Sequence, residues 1–297
     1  MNNTKKKSPI SWVPTAYFAM GLPFVVLNMV TVLMFKGLEV DDKLITFWTS
    51  LILLPWTLKP LWSPFLELFR TKKFFVIVTQ LITGVTFGLV AFALNLSHFF
   101  SISIALLAIV AFSGATHDIA CDGVYMSELS NEDQAKFIGW QGAFYNIAKI
   151  LATGGLVYLA GYFIELNADA GLLTANKRAW MIILLILSVT MILLGIYHLF
   201  ALPSTQSASS KKTIRSNKEV MKELGQVLMD FFRKTHITYY IFFIILYRFA
   251  EGFVMKIVPL FLKADREMGG LGLNEKEIGL YYGTYGAAAF VLGSLLA

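Results

Sequence analysis

Eight stretches of roughly 20 or more mostly apolar residues run through the chain, at 12–35, 44–66, 74–96, 101–125, 137–164, 179–202, 237–262 and 277–297. A helix rising about 1.5 Å per residue needs that length to cross the hydrocarbon core of a bilayer, about 30 Å thick. In hydrocarbon every backbone N–H and C=O must find its partner within the chain, which leaves helices or closed barrels. Barrel strands alternate in and out over only about 10 residues, so runs this long exclude a barrel. The fold class expected is all-α, a polytopic helical membrane protein.

Composition agrees. Apolar side chains make up 57% of the 297 residues and charged ones 15%, against about 45–50% and about 25% in ordinary soluble domains. The single cysteine, Cys121, cannot form an intrachain disulfide. His98, His117, His198 and His236 lie far apart, without the spacing that presents metal ligands from one helix face. No metal or other cofactor is expected. A membrane enzyme would need a nucleophile, base or metal cluster, and no His or Ser constellation supports the acid pair Asp118 and Asp122. The chain therefore reads as a non-enzyme.

The net charge of +6 is explained by where the charges sit. Lys5, Lys6 and Lys7 precede an apolar segment too long for a signal peptide and without a small-residue cleavage site, so this segment reads as a retained first span. Of the 25 Lys and Arg, four fall inside spans. With the N-terminus cytoplasmic, fourteen of the others fall in the cytoplasmic tail and loops and seven in outer loops, the asymmetry expected of N-in topology. Basic and aromatic residues are not interleaved as in single-strand binders, so no nucleic-acid partner is expected.

Domain organisation follows from the connections. Residues 1–202 form a six-span bundle, 203–236 a cytoplasmic linker opening with Pro203 and a Ser-rich run, and 237–297 two further spans. Within the linker, Ser216 and Glu219 form a capping box, and apolar residues from Val220 to Phe232 recur at helical spacing opposite charged ones. This predicts an amphipathic helix on the cytoplasmic surface, a strap between bundles or a partner-binding helix. Phe18-Ala19-Met20-Gly21 is echoed by Phe249-Ala250-Glu251-Gly252, and Asp42-Lys43-Leu44-Ile45 by Glu275-Lys276-Glu277-Ile278. The echo sets a repeat boundary at the linker, as in transporters built from repeated halves.

Seven ionisable residues fall inside spans: Lys59, Lys149, Arg248, Lys256, Asp118, Asp122 and Glu251. Each costs about 2.5–3.5 kcal/mol at a helix centre, on the order of 20 kcal/mol together if all faced lipid. They must face one another or water. Asp118 and Asp122 share one face of span four, and Arg248 and Glu251 one face of span seven. A polar cavity between two bundles is expected, with Asp122 and Lys256 close enough to span ends to snorkel outward as an alternative. Pro14, Gly21 and Pro23 interrupt span one; Pro55, Pro60 and Pro64 interrupt span two; Gly154, Gly155 and Gly161 loosen span five. Gly84-x-x-x-Gly88 and Gly279-x-x-x-Gly283 permit close helix approach.

Several of these residues carry a resemblance. Lys59-Pro60-Leu61-Trp62-Ser63-Pro64, with Glu67 and Arg70-Thr71-Lys72-Lys73 after it, resembles the span two to three junction of major facilitator transporters. It is most similar to the AmpG-type muropeptide permeases and their acetyl-coenzyme A transporter relatives. His117-Asp118-Ile119-Ala120-Cys121-Asp122-Gly123 resembles that family's Gln-Asp-Ile-x-x-Asp motif. Tyr145 followed by Gly154-Gly155, and Leu246-Tyr247-Arg248-x-x-Glu251, match as well.

The resemblance implies a major facilitator fold of a six-helix N-terminal bundle and an incomplete C-terminal one. It implies proton-coupled uptake, by symport, of anhydromuropeptides from periplasm to cytoplasm for cell-wall recycling, by a multi-pass monomer of the bacterial inner membrane. Its partners would be a small solute, protons and the bilayer. The site residues implied are Lys59, Asp118, Asp122, Tyr145, Asn146, Lys149, Arg248 and Glu251, with Glu251 or Asp118 carrying the proton. Where such permeases tend to carry Arg after the span-five Tyr, this chain has Asn146 and places Lys149 one turn later. A coenzyme A ester is the competing anionic cargo. The family has twelve or more spans, so a shortened, non-transporting fragment is the competing account.

Overall fold

The computed structural model describes residues 7–63, 66, 71–203, 225–226, 229–230, 232–286 and 289; the side chains of Arg248, Ala250 and Glu251 are not among those described. The expected amphipathic helix with Ser216 and Glu219, the junction residues Pro64, Glu67 and Arg70, and the last residues of span eight lie outside the described residues.

Among the described residues there are helices and no strands, and six of the helices are long and apolar enough to cross a membrane. They are α1 (Pro9–Gly37), α2 (Asp42–Leu61), α3 (Lys72–Ala93), α4 (Phe99–Glu128), α5 (Asn131–Leu166) and α6 (Leu172–Ala201). A 27-residue helix, α7 (Ile237–Lys263), follows. The last, α8, opens with Glu275–Ile278 and continues as the π-helical Gly279–Tyr285.

Local chemistry explains the boundaries. Asp41, Thr71 and Ser130 cap α2, α3 and α5, their side-chain oxygens accepting from Lys43 and Leu44 N–H, Phe74 N–H and Asp133 N–H. Asn274 and Glu277 close a capping box on α8. Proline shapes the interruptions. Pro55 and Pro60 each start a new short helix, so α2 is split into Asp42–Leu51, Leu54–Leu58 and the 3₁₀ turn Lys59–Leu61. In α1, Pro23 removes a backbone donor, and the helix passes into a π-helical stretch, Val26–Val30.

The helix α1 sits in the middle. Its most apolar stretch is 89% buried within the protein, against 17% for α2. It is flanked by α4 and α5, while α3 packs extensively on both α4 and α6 behind it. The core beside α1 includes Leu27, Leu33, Phe87, Leu107 and Trp180. A second cluster at the N-terminal end of the bundle gathers Trp12, Tyr17, Val124 and Tyr125. The outward faces are apolar too: Val189, Leu193, Ile196 and Phe200 are exposed along one stripe of α6, and Val85, Leu89 and Phe92 along one of α3. In lipid such stripes cost nothing, so association depends on close packing and polar ties. Gly84 supplies the packing between α3 and α6, since a Cβ there would stand 2.7 Å from Ile192 Cγ1 and 2.9 Å from Ser188 O.

The helix α8 lies against α5, π-helical stretch on π-helical stretch (Gly279–Tyr285 on Leu151–Leu156). Glycines allow it. A Cβ on Gly279 would meet Tyr158 N at 2.5 Å and Gly154 O at 2.7 Å, and one on Gly283 would collide with the Thr153 and Gly154 backbone. Of the two expected close-approach motifs, each therefore carries a helix contact.

Candidate functional site

The break in α2 brings Trp56 and Lys59 to α4. Lys59 Nζ donates to Asp118 Oδ2 at 2.6 Å, and Trp56 Nε1 donates to the same oxygen at 2.9 Å. Asp118 is 8% exposed, and its other oxygen, Oδ1, is buried without a donor among the described residues. Gly114, one turn before Asp118, makes room for the indole: a Cβ there would lie 2.9 Å from Trp56 Cζ2.

One turn along α4, Asp122 Oδ1 accepts from Tyr17 OH at 2.8 Å, and the same phenol oxygen accepts from Gln141 Nε2 at 2.8 Å. A tyrosine on the central helix thus bridges a carboxylate on α4 and an amide on α5. Asp122 itself is exposed, and α1 meets it through that phenol. Trp56, Tyr17 and Gln141 are absent from the residues expected from sequence. The signal for Tyr17 was its phenol within a mostly apolar span, and for Gln141 its place one turn before Tyr145 on the same helix face.

Tyr145 packs across Gly21 of α1; a Cβ at Gly21 would stand 3.3 Å from Tyr145 Cδ2. Asn146 and Lys149 are exposed. Asn146 Nδ2 donates to Gly142 O at 2.8 Å. Gly142, Asn146, Lys149 and Thr153 follow one another at helical spacing on α5, and Thr153 is buried where α5 meets α8. The stripe is therefore the α5 face that turns toward the second bundle, which is why Lys149 is not drawn into the Asp118 cluster. Lys149 makes no ion pair among the described residues. Arg248 and Glu251 lie on the α7 helix, eight and five residues before Lys256; where their side chains go lies outside the described residues.

Lys256, expected to snorkel as an alternative to facing the cavity, is 5% exposed and donates to Asn28 O at 3.1 Å and Thr49 O at 3.3 Å. A further polar tie runs through the bundle. Gln80 Oε1 lies 2.8 Å from His198 Nδ1 and Gln80 Nε2 3.0 Å from His117 Nε2, while Thr15 Oγ1 meets His198 Nε2 at 2.9 Å. Four helices are joined by these groups. Among the described residues no group of three or more His, Cys, Asp or Glu could hold a metal ion.

The arrangement comprises two carboxylates, one ammonium paired with the first of them, and one ammonium without a described acidic partner. A family model described as Major Facilitator Superfamily matches residues 15–297. No curated protein and no solved structure matches the chain.

Proposed function

The chain belongs to the Major Facilitator Superfamily, a family of secondary transporters that move small solutes across membranes, and we propose that its cargo is an anionic solute of the anhydromuropeptide class, taken up with protons. The protein would sit in the bacterial inner membrane as a multi-pass monomer, N-terminus in the cytoplasm. The observation that supports this most directly is the shared Asp118 oxygen, held by Lys59 and Trp56.

The chemistry proceeds from that oxygen. While Asp118 is ionised, its charge holds the Lys59 ammonium. A proton delivered to the carboxylate weakens that hold, freeing Lys59 for an anion in the cavity. Lys149, on the face turned toward the second bundle, supplies a standing positive charge. Asp122, with Tyr17 and Gln141, links the state of α4 to α1 and α5, so a change at the carboxylates reaches the helices that flank the cavity. Arg248 and Glu251 would serve the same cavity from α7. Alternating access then carries cargo and proton inward together.

The test is uptake of labelled anhydromuropeptide into energised vesicles carrying the protein. Uptake that collapses with a protonophore supports proton coupling; uptake indifferent to it overturns the coupling. Competition by an acetyl-coenzyme A excess, with none by anhydromuropeptide, would reassign the cargo.

A further inference from the structure

The buried ammonium of Lys256 touches no carboxylate among the described residues; both of its described acceptors are backbone carbonyls, one on each of two helices of the first bundle. Each carbonyl stands where its helix is irregular. Asn28 lies within the π-helical stretch of α1, where Thr31 N–H reaches back five residues to Val26 O. Neighbouring carbonyls there are served by local side chains, Phe24 O by Asn28 Nδ2 at 3.0 Å and Leu27 O by Thr31 Oγ1 at 3.0 Å. Asn28 O accepts from α7, through Lys256. Thr49 lies just before the break in α2, and Leu53 N–H, its regular helical partner, turns to Ser50 O at 3.2 Å. A buried carbonyl left without a donor is costly; Lys256 supplies one to Thr49 O and reaches Asn28 O as well.

The seam around Lys256 is thin. Beyond residue 251, α7 buries Lys256, Pro259 and Leu260 at i, i+3, i+4 spacing, while Tyr239, Phe243 and Tyr247 in its first half are 57–68% exposed. Contact between α7 and the first bundle is therefore concentrated at the end that carries Gly37 and Asp42, where α7 packs on α1 and α2. Carbonyls and an ammonium can all exchange protein partners for water, and no carboxylate is left behind without its cation. That makes the contact suited to repeated breaking, unlike a buried ion pair.

We propose that Lys256 is the latch that closes this end of the transporter, holding α7 to the irregular turns of α1 and α2, and that opening of this end withdraws the ammonium from Asn28 O and Thr49 O. The proposal rests on the transporter reading for its role in a cycle, yet its test needs no cargo.

Two reporter cysteines in a Cys121→Ala background read the two ends in purified protein in detergent. Ile45→Cys sits one turn before Thr49 and is fully buried. Gly142→Cys lies on the α5 face toward the second bundle, with nothing within 4 Å of its Cβ position. With Lys256→Met or, separately, Lys256→Gln, maleimide labelling at residue 45 should quicken by about tenfold or more, the worth of hydrogen bonds from a charged donor, while labelling at residue 142 slows. Reciprocal change supports the latch. Quickening at both reporters marks a static structural tie, and no change at residue 45 marks an idle contact; either overturns it. Failed uptake beside reciprocal labelling would remove the cargo assignment and leave the latch standing.

Discussion

Lys59 Nζ and Trp56 Nε1 converge on a single oxygen of Asp118, at 2.6 and 2.9 Å, and the carboxylate's second oxygen is buried with no described donor. The asymmetry leaves one oxygen held by two donors and the other with none described. Removing Lys59 alone (Lys59→Met) leaves a buried carboxylate with one neutral donor. The side chain is 28% exposed, so the loss should be about 2–3 kcal/mol, below the roughly 3–5 of a fully buried pair. The double variant Lys59→Met/Asp118→Leu should recover most of that stability and none of the uptake. Thermal unfolding in detergent beside vesicle uptake separates the two; a double variant as unstable as the single would show that the pairing is not what holds this corner.

Tyr17 joins Asp122 to Gln141 through one phenol oxygen. Tyr17→Phe should cost about 1 kcal/mol of stability and lower uptake several-fold. In a double-mutant cycle with Gln141→Leu the two changes should couple by about 0.5 kcal/mol or more. Strict additivity would mean that the bridge carries nothing.

Lys149 is exposed on the face toward the second bundle and has no acidic partner among the described residues. Lys149→Glu should abolish uptake of an anionic cargo, while Lys149→Arg retains it. Both variants should unfold within about 0.5 kcal/mol of the parent, the range of exposed positions. Equal uptake by the Glu variant would exclude this residue from the anion's path.

Glycine substitutions should split by location. Gly279→Val places atoms on Tyr158 N and Gly154 O and should force α8 from α5, lowering the unfolding temperature. Gly142→Ala meets open space and should match or exceed parental stability, because alanine restricts the unfolded chain and favours the helix. Unfolding scans of both variants in one detergent check the contrast.

Gln80 is fully buried between His117 and His198. Gln80→Leu removes a donor and an acceptor together and leaves two imidazole nitrogens bare, at about 1–3 kcal/mol each. Destabilisation of only a few tenths would indicate that water replaces the amide.

The long apolar runs made the helices legible, and the described ends of α1 to α7 fall close to the runs because hydrocarbon demands complete internal hydrogen bonding whatever the neighbours are. The intramembrane charges were legible for the same reason: cost alone singles out Lys59 and Asp118. Their partners were not. Nothing in the local sequence sets Trp56 on Asp118, Tyr17 between Asp122 and Gln141, or Gln80 between two histidines 81 positions apart, since hydrogen bonds between helices depend on crossing angle and rotation. Lys256 shows the division most clearly. Its position in a span marked it as expensive. Whether it snorkelled, paired with an acid or took up backbone carbonyls was decided by where the packed helices set Asn28 O and Thr49 O.

By itself, then, the sequence determined the solvent, the helical class and the charges that hydrocarbon will not leave alone. The tertiary structure decided which oxygen each charge meets, because a lipid environment sets the cost of a polar group while only the packed neighbours supply its partner.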